Sequence, residues 1–184
     1  MSLKKDNYKS LDKKIMNFAI NIAENNKYLT GTNPSVGCVI VKKNKILSFA
    51  TTQKGGRPHA ESIALSKNKN NNGTTLYSTL EPCSHYGITP PCTNKIIKNK
   101  VKNVYYSIED KDFRTYNKTK KILKSKNIIA NSGLQKRNVF NLYKEYNYIR
   151  SNKSPYIIGK IATSLNYKIN SPRLNQLTNG WVTF

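Results

Sequence analysis

His59 and Glu61 stand two residues apart, and Cys83 and Cys92 follow, each immediately behind a proline. One imidazole and two thiols are donors that zinc takes readily. A catalytic zinc site uses three protein ligands and keeps a fourth position for water, whose pKa then falls towards neutrality. His59, Cys83 and Cys92 supply that count. Glu61 is the candidate acid/base, able to move a proton between the water and a substrate nitrogen. The chain has only two histidines and three cysteines, so composition alone does not supply this set. The third cysteine, Cys38, lies in an apolar run and reads as a buried side chain. All three donors are expected at helix starts, where N–H groups and the dipole favour thiolate.

These residues need elements to hold them. Ile15, Phe18, Ala19, Ile22 and Ala23 recur at helical spacing and predict an amphipathic first helix. Gly37 to Val41 and Ile46 to Ala50 read as a hairpin around the turn Lys42 to Lys45. Ala60 to Ser66 is a short helix, and 67–73 is a polar loop. Thr74 to Ser78 is a strand, Cys92 to Lys100 a helix behind Pro91, and Val101 to Ser107 a strand. Asn117 to Ser125 reads as helix, Ile128 to Asn131 as strand, and Val139 to Tyr148 as helix. Short apolar strands interleaved with helices imply an α/β fold of three α/β/α layers around a central mixed sheet. The domain is expected to span 1–150. Residues 151–184 form a linker and a remnant too short for its own core, with Tyr156 to Ile169 strand-like.

No apolar run approaches membrane-spanning length, and the N-terminus is polar and Lys-rich, so a cytoplasmic protein without a membrane partner is expected. Three cysteines are too few for a disulfide framework, and in a reducing compartment a close pair beside histidine reads as ligands. The net charge of +23 admits nucleic acid or a phosphorylated substrate. Because Lys far outnumbers Arg and is scattered along the chain, we read the charge as compositional drift.

The segment from Thr79 through Glu81-Pro82-Cys83-Ser84-His85 to Pro90-Pro91-Cys92 resembles the signature of the riboflavin-biosynthesis pyrimidine deaminases. These belong to the cytidine-deaminase-like superfamily. The general deaminase pattern places two residues between the cysteines; this chain has eight, an insert that marks the riboflavin branch. Asn33 to Val41 and Pro58-His59-Ala60-Glu61 resemble the family's other two motifs. The likeness runs from about Ile15 to Arg150. Ser154 to Ile169 resembles the opening of the reductase domain of the bifunctional enzymes, of which about thirty residues would be essentially nothing.

The resemblance implies a cytidine-deaminase-like fold and a Zn2+ cofactor held by His59, Cys83 and Cys92, with Glu61 as acid/base. It implies a hydrolase that deaminates a cyclic amidine, the phosphoribosylated diaminopyrimidine of riboflavin biosynthesis, and releases ammonia. It places Asn33, His85 and Asp110 at the substrate. Each has a plainer reading: Asn33 as a turn residue before Pro34, His85 as a loop residue, Asp110 as a turn or cap former. Three departures bear on substrate grip rather than chemistry. Thr52 stands where the family has histidine, Ile88 where it has Lys or Arg, and Lys111-Asp112-Phe113 where it reads Pro-Asn-Pro. Lys54 or Arg57, on the Gly55-Gly56 loop, is the candidate replacement for the cation missing at Ile88, with the loop's amides assisting.

Two rivals remain at this level. A tRNA or other nucleobase deaminase fits the charge, but the long insert and the lack of an Arg- and aromatic-rich segment oppose it. An idle binding or assembly module fits the departures, but not the intact Glu61. The small-molecule pyrimidine substrate is preferred over nucleic acid. The apolar Tyr156-Ile157-Ile158 would be a sticky edge in water and points to a homo-oligomer.

Overall fold

The structure is a computed structural model and describes residues 8–161. Backbone contacts divide the chain into two units, Met1–Lys153 and Ser154–Phe184. In the first, the elements run α1 (Ser10–Glu24), β1 (Gly37–Lys42), β2 (Lys45–Thr51), α2 (Ala60–Ser66), β3 (Thr75–Leu80), α3 (Cys92–Lys98), β4 (Asn103–Ile108), α4 (Thr119–Lys124), β5 (Ile129–Ser132) and α5 (Lys144–Asn152). The strands form one sheet in the order β2-β1-β3-β4-β5. β1 is antiparallel to both β2 and β3, whereas β3, β4 and β5 are parallel. The sheet is therefore mixed, as expected.

Alternation along β1 and β3 assigns the layers. Gly37 faces α1 so closely that a Cβ there would stand 1.9 Å from the Ala19 carbonyl oxygen. No side chain fits without moving the helix off the sheet. Cys38, next along β1, pairs with Ser78, whose hydroxyl reaches Glu61 of α2 on the opposite face. One face thus carries α1 and the other α2, with α3 and α4 alongside. The core between layers includes Met16, Val39, Ile40, Leu76, Val104 and Leu123, all buried.

The sequence misplaces two segments. Val139 to Tyr143 is a run of turns, and the helix starts only at Lys144. Leu134, Val139, Leu142 and Tyr143 are buried at irregular intervals that no helical stripe would satisfy. The Tyr143 hydroxyl donates to the Ser35 carbonyl at 3.0 Å and bonds Thr79 Oγ1 at 2.6 Å, while Gly37 N–H donates to that same Oγ1. The buried tyrosine thereby ties this stretch to β1 and β3 and leaves the polar 144–152 to form α5. In the second unit, Tyr156 to Ile161 carries no strand, which corrects the strand-like expectation for those residues. The rest of the expected Tyr156–Ile169 stretch lies outside the described residues.

Candidate metal and substrate site

His59 is the residue before α2, so Glu61 follows it inside the first turn. Cys92 opens α3. Cys83 corrects the expectation of three helix starts: it lies in the loop that leaves β3. The loop returns it to a helix start nonetheless. Cys92 N–H donates to Cys83 Sγ at 3.2 Å, and Thr93 N–H donates to the Cys83 carbonyl at 3.2 Å. Both sulfurs therefore gather at the first turn of α3.

His59 Nδ1 lies 3.6 Å from Cys83 Sγ and 3.4 Å from Cys92 Sγ, and all three donor atoms fall within 4.8 Å of one another. Zn–N and Zn–S bonds of about 2.05 and 2.3 Å at a tetrahedral angle separate nitrogen from sulfur by about 3.6 Å. The donor set fits one zinc ion in both chemistry and spacing. Hydrogen bonds from the Cys92 thiol, His59 and the Cys92 N–H hold Cys83 down at about 4, against burial. The Cys83 sulfur and burial push Cys92 well above the ordinary thiol value. Binding of a metal ion there requires both sulfurs as thiolates.

Glu61 is 4 % exposed and accepts from Ser78 Oγ at 3.0 Å. Cys92 Sγ lies 3.6 Å from its other oxygen. Burial raises its carboxyl, with the His59 charge opposing. A carboxyl so placed at the donor triad suits proton exchange.

Glu61, His59 and Cys83 line a cavity that also receives Asn33, Thr52, Arg57, His85 and Asp110. Each of Asn33, His85 and Asp110 also has a protein partner there, and for Asp110 it includes the turn bond that its plainer reading expects. Asn33 Nδ2 donates to the Gly56 carbonyl at 3.2 Å, and His85 Nδ1 sits 2.9 Å from Thr115 Oγ1. Asp110 Oδ1 accepts from Asp112 N–H at 2.9 Å and from the Tyr146 hydroxyl at 2.8 Å. Gly56 has φ +87°, and a Cβ there would lie 2.3 Å from Asn33 Nδ2, so the glycine sets where that amide stands.

The expected anion loop is corrected in part. Gly55 N–H donates to Leu29 O and Gly56 N–H to Gln53 O, so neither amide is available to an anion. Lys54 does not line the cavity, whereas Arg57 does. The Arg57 guanidinium bonds Thr89 Oγ1 and lies 3.4 Å from the position of a Cβ on Gly87. It stands beside Ile88, which is 87 % exposed.

Sequence reasoning missed Glu81, Asp112, Arg114, Tyr146 and Arg150, all of which line the cavity. Buried Glu81 accepts from the backbone N–H groups of Asp110, Asn117 and Thr119 at 3.1–3.2 Å. Thr119 Oγ1 donates to the Pro82 carbonyl at 2.7 Å. The loop after β4 is thus fastened to the segment that carries Cys83. Glu81 within the 79–92 segment was the one available signal, since a carboxylate amid apolar neighbours must find donors.

A family model described as the cytidine and deoxycytidylate deaminase zinc-binding region matches residues 9–108. The riboflavin biosynthesis protein RibD of Aquifex aeolicus (strain VF5) is 35% identical over 162 residues, covering 88% of this chain and 46% of the relative. The diaminohydroxyphosphoribosylamino-pyrimidine deaminase of Buchnera aphidicola subsp. Schizaphis graminum (strain Sg) is 39% identical over 127 residues, 68% of this chain and 86% of that protein. Among solved structures, Acinetobacter baumannii RibD superposes with a TM-score of 0.79 at 37% identity, over 85% of this chain and 44% of its own. The chain spans about half the length of the RibD relatives it matches. No helix among the described residues is long and apolar enough to cross a membrane.

Proposed function

Because this chain belongs to the zinc-binding cytidine and deoxycytidylate deaminase family, and within it to the diaminohydroxyphosphoribosylaminopyrimidine deaminases, we propose that it hydrolyses the amino group from a phosphoribosylated diaminopyrimidine. His59, Cys83 and Cys92 would hold the zinc ion, which would supply a Lewis acid that lowers the pKa of water. Glu61 takes that water's proton and gives it to the ring nitrogen beside the amine-bearing carbon as the C–O bond forms. It then moves the new hydroxyl's proton to the amino group, the C–N bond breaks, and ammonia leaves with the carbonyl product behind. Asn33 and His85 face the pyrimidine, and Asp110 the ribose. Arg57 stands in for the family's cation at Ile88 and holds the phosphate.

The observation that carries this reading is the convergence of three zinc-type donors on buried Glu61, in a cavity that three arginines also line. Ammonia release from free and phosphoribosylated aminopyrimidines, with tRNA as a separate arm, tests it. Turnover of tRNA alone, or of nothing by fully zinc-loaded protein, overturns it. Arg57→Ala is expected to raise KM for the phosphorylated substrate about tenfold or more, well beyond any rise for the dephosphorylated analogue. Equal rises on both would place the phosphate elsewhere.

The enzyme is further proposed to be cytoplasmic and homo-oligomeric. The apolar Tyr156-Ile157-Ile158 and the exposed Ile46, Leu47 and Phe49 of edge strand β2 support self-association. Light scattering is expected to give a mass of at least two chains, and a monomer at micromolar concentration would refute it.

A further inference from the structure

The chain has 27 lysines and only five arginines. Three of those five, Arg57, Arg114 and Arg150, line the cavity at the donor triad, and no lysine among the described residues does. In a sequence that uses Lys for almost every positive charge, Arg at three positions of one cavity marks a need for the planar fork. An ammonium cannot make the paired N–H contacts that a guanidinium makes to a phosphate.

Two of the three lie far in sequence from the zinc-motif histidine. Arg114 lies on the loop after β4, and Arg150 on α5. Asp112 organises both. Arg114 Nε donates to Asp112 Oδ1 at 2.9 Å, and its terminal nitrogen donates to Oδ2. Arg150 Nη1 stands 3.6 Å from the same Oδ2, and its guanidinium lies over the Tyr146 ring, 5.3 Å from the centroid. The Arg114 guanidinium holds the Asp112 carboxyl at about 2, so it is an anion at any working pH. One carboxylate thus fixes two guanidiniums. Asp110, two residues earlier, turns one oxygen to Asp112 N–H and the Tyr146 hydroxyl. Both arginines keep partly exposed side chains, at 43% and 37%, with further N–H groups to offer. Of the four carboxyl groups that line the same cavity, Glu61 stands at the donor triad, and Glu81 is engaged by the backbone N–H groups of Asp110, Asn117 and Thr119.

We propose that Arg114 and Arg150, preset by Asp112, form with Arg57 the subsite that reads a phosphate monoester on the substrate's ribose. The inference rests on the functional reading above and adds α5 as a specificity element. It also accounts for the departures in substrate grip: an isoleucine at position 88 cannot bind phosphate, and arginines from three separate elements take that role.

Calorimetric binding of ribose 5-phosphate to zinc-loaded protein tests the subsite without turnover, with ribose and inorganic phosphate as separate probes. Wild type is expected to bind ribose 5-phosphate at least tenfold tighter than ribose. Arg150→Ala and Arg150→Lys are each expected to weaken ribose 5-phosphate about tenfold or more; the Lys variant keeps the charge and guards against misfolding in the Ala variant. Under turnover, Arg150→Lys is expected to raise KM for the phosphorylated substrate far more than for its dephosphorylated analogue. Unchanged ribose 5-phosphate affinity in Arg150→Ala, Arg150→Lys and Arg114→Lys overturns the proposal, as does equal affinity for ribose. Inorganic phosphate binding as tightly as the sugar phosphate in wild type and variants alike reduces the site to a generic anion trap and also overturns it. If no aminopyrimidine is deaminated yet Arg150→Lys still weakens ribose 5-phosphate, the subsite stands and the functional reading falls.

Discussion

Glu61→Gln is expected to keep the metal and lower kcat by roughly a hundredfold or more. The substitution preserves length and volume in a site where the side chain is 4 % exposed, so packing offers little reason for collapse. The amide oxygen can still accept from Ser78 Oγ, as Glu61 Oε1 does now at 3.0 Å. What the amide cannot do is accept a proton. Both transfers proposed for Glu61, to the ring nitrogen and then to the departing amine, need a group that is alternately base and acid. Zinc content near one per chain with turnover nearly abolished would separate proton transfer from metal holding. A Gln variant that turns over at the wild-type rate would remove Glu61 from the mechanism, whatever its position. Loss of zinc in the same variant would instead make the carboxylate part of the metal's support.

Much of this arrangement is legible in the sequence because short elements announce themselves through type and order. Gly37 to Val41, an apolar run bounded by turn residues, is β1 with one added residue. Ala60 to Ser66 is α2 as read, and Pro91 starts α3 at Cys92 as read. The metal donors are legible because rare residue types at fixed offsets carry information that periodicity does not. The second wall of the cavity is not legible. Arg114, Tyr146 and Arg150 meet only because α5 packs back beside the loop after β4, and no local pattern encodes that return. The Val139–Tyr148 expectation fails for a related reason: buried Tyr143 is satisfied by Ser35 and Thr79, more than sixty residues away in sequence. A long-range bond outweighs helical propensity there. Arg57 shows the intermediate case. Its sequence neighbourhood predicts an anion loop, yet the amides of that loop are spent on Leu29 and Gln53, and only the guanidinium reaches the cavity.

Purified protein is expected to carry about one zinc per chain, and Cys83→Ser or Cys92→Ser is expected to lose nearly all of it together with activity. Serine is close in size to cysteine, but its hydroxyl does not ionise near neutral pH and is a poor match for a borderline-soft ion. Metal binding needs both sulfurs as thiolates, which together supply the two negative charges that balance the ion. Cys83→Ser and Cys92→Ser each remove one of those charges. Either change leaves two protein donors where three are needed. Cys38→Ala supplies the control: that thiol is fully buried in β1, so zinc should remain near one per chain even if packing loosens by about 1–2 kcal/mol. Elemental analysis and thermal melting of the four proteins, each with and without a chelator, check the set. Wild type and the Cys38 variant should melt lower after chelation, because zinc binds the folded site and not the unfolded chain. The Cys83 and Cys92 variants should melt at one temperature in both conditions. Zinc retained in a Cys83→Ser, Cys92→Ser double variant would mean that the metal is held elsewhere, and the triad at the first turn of α3 would lose its assignment.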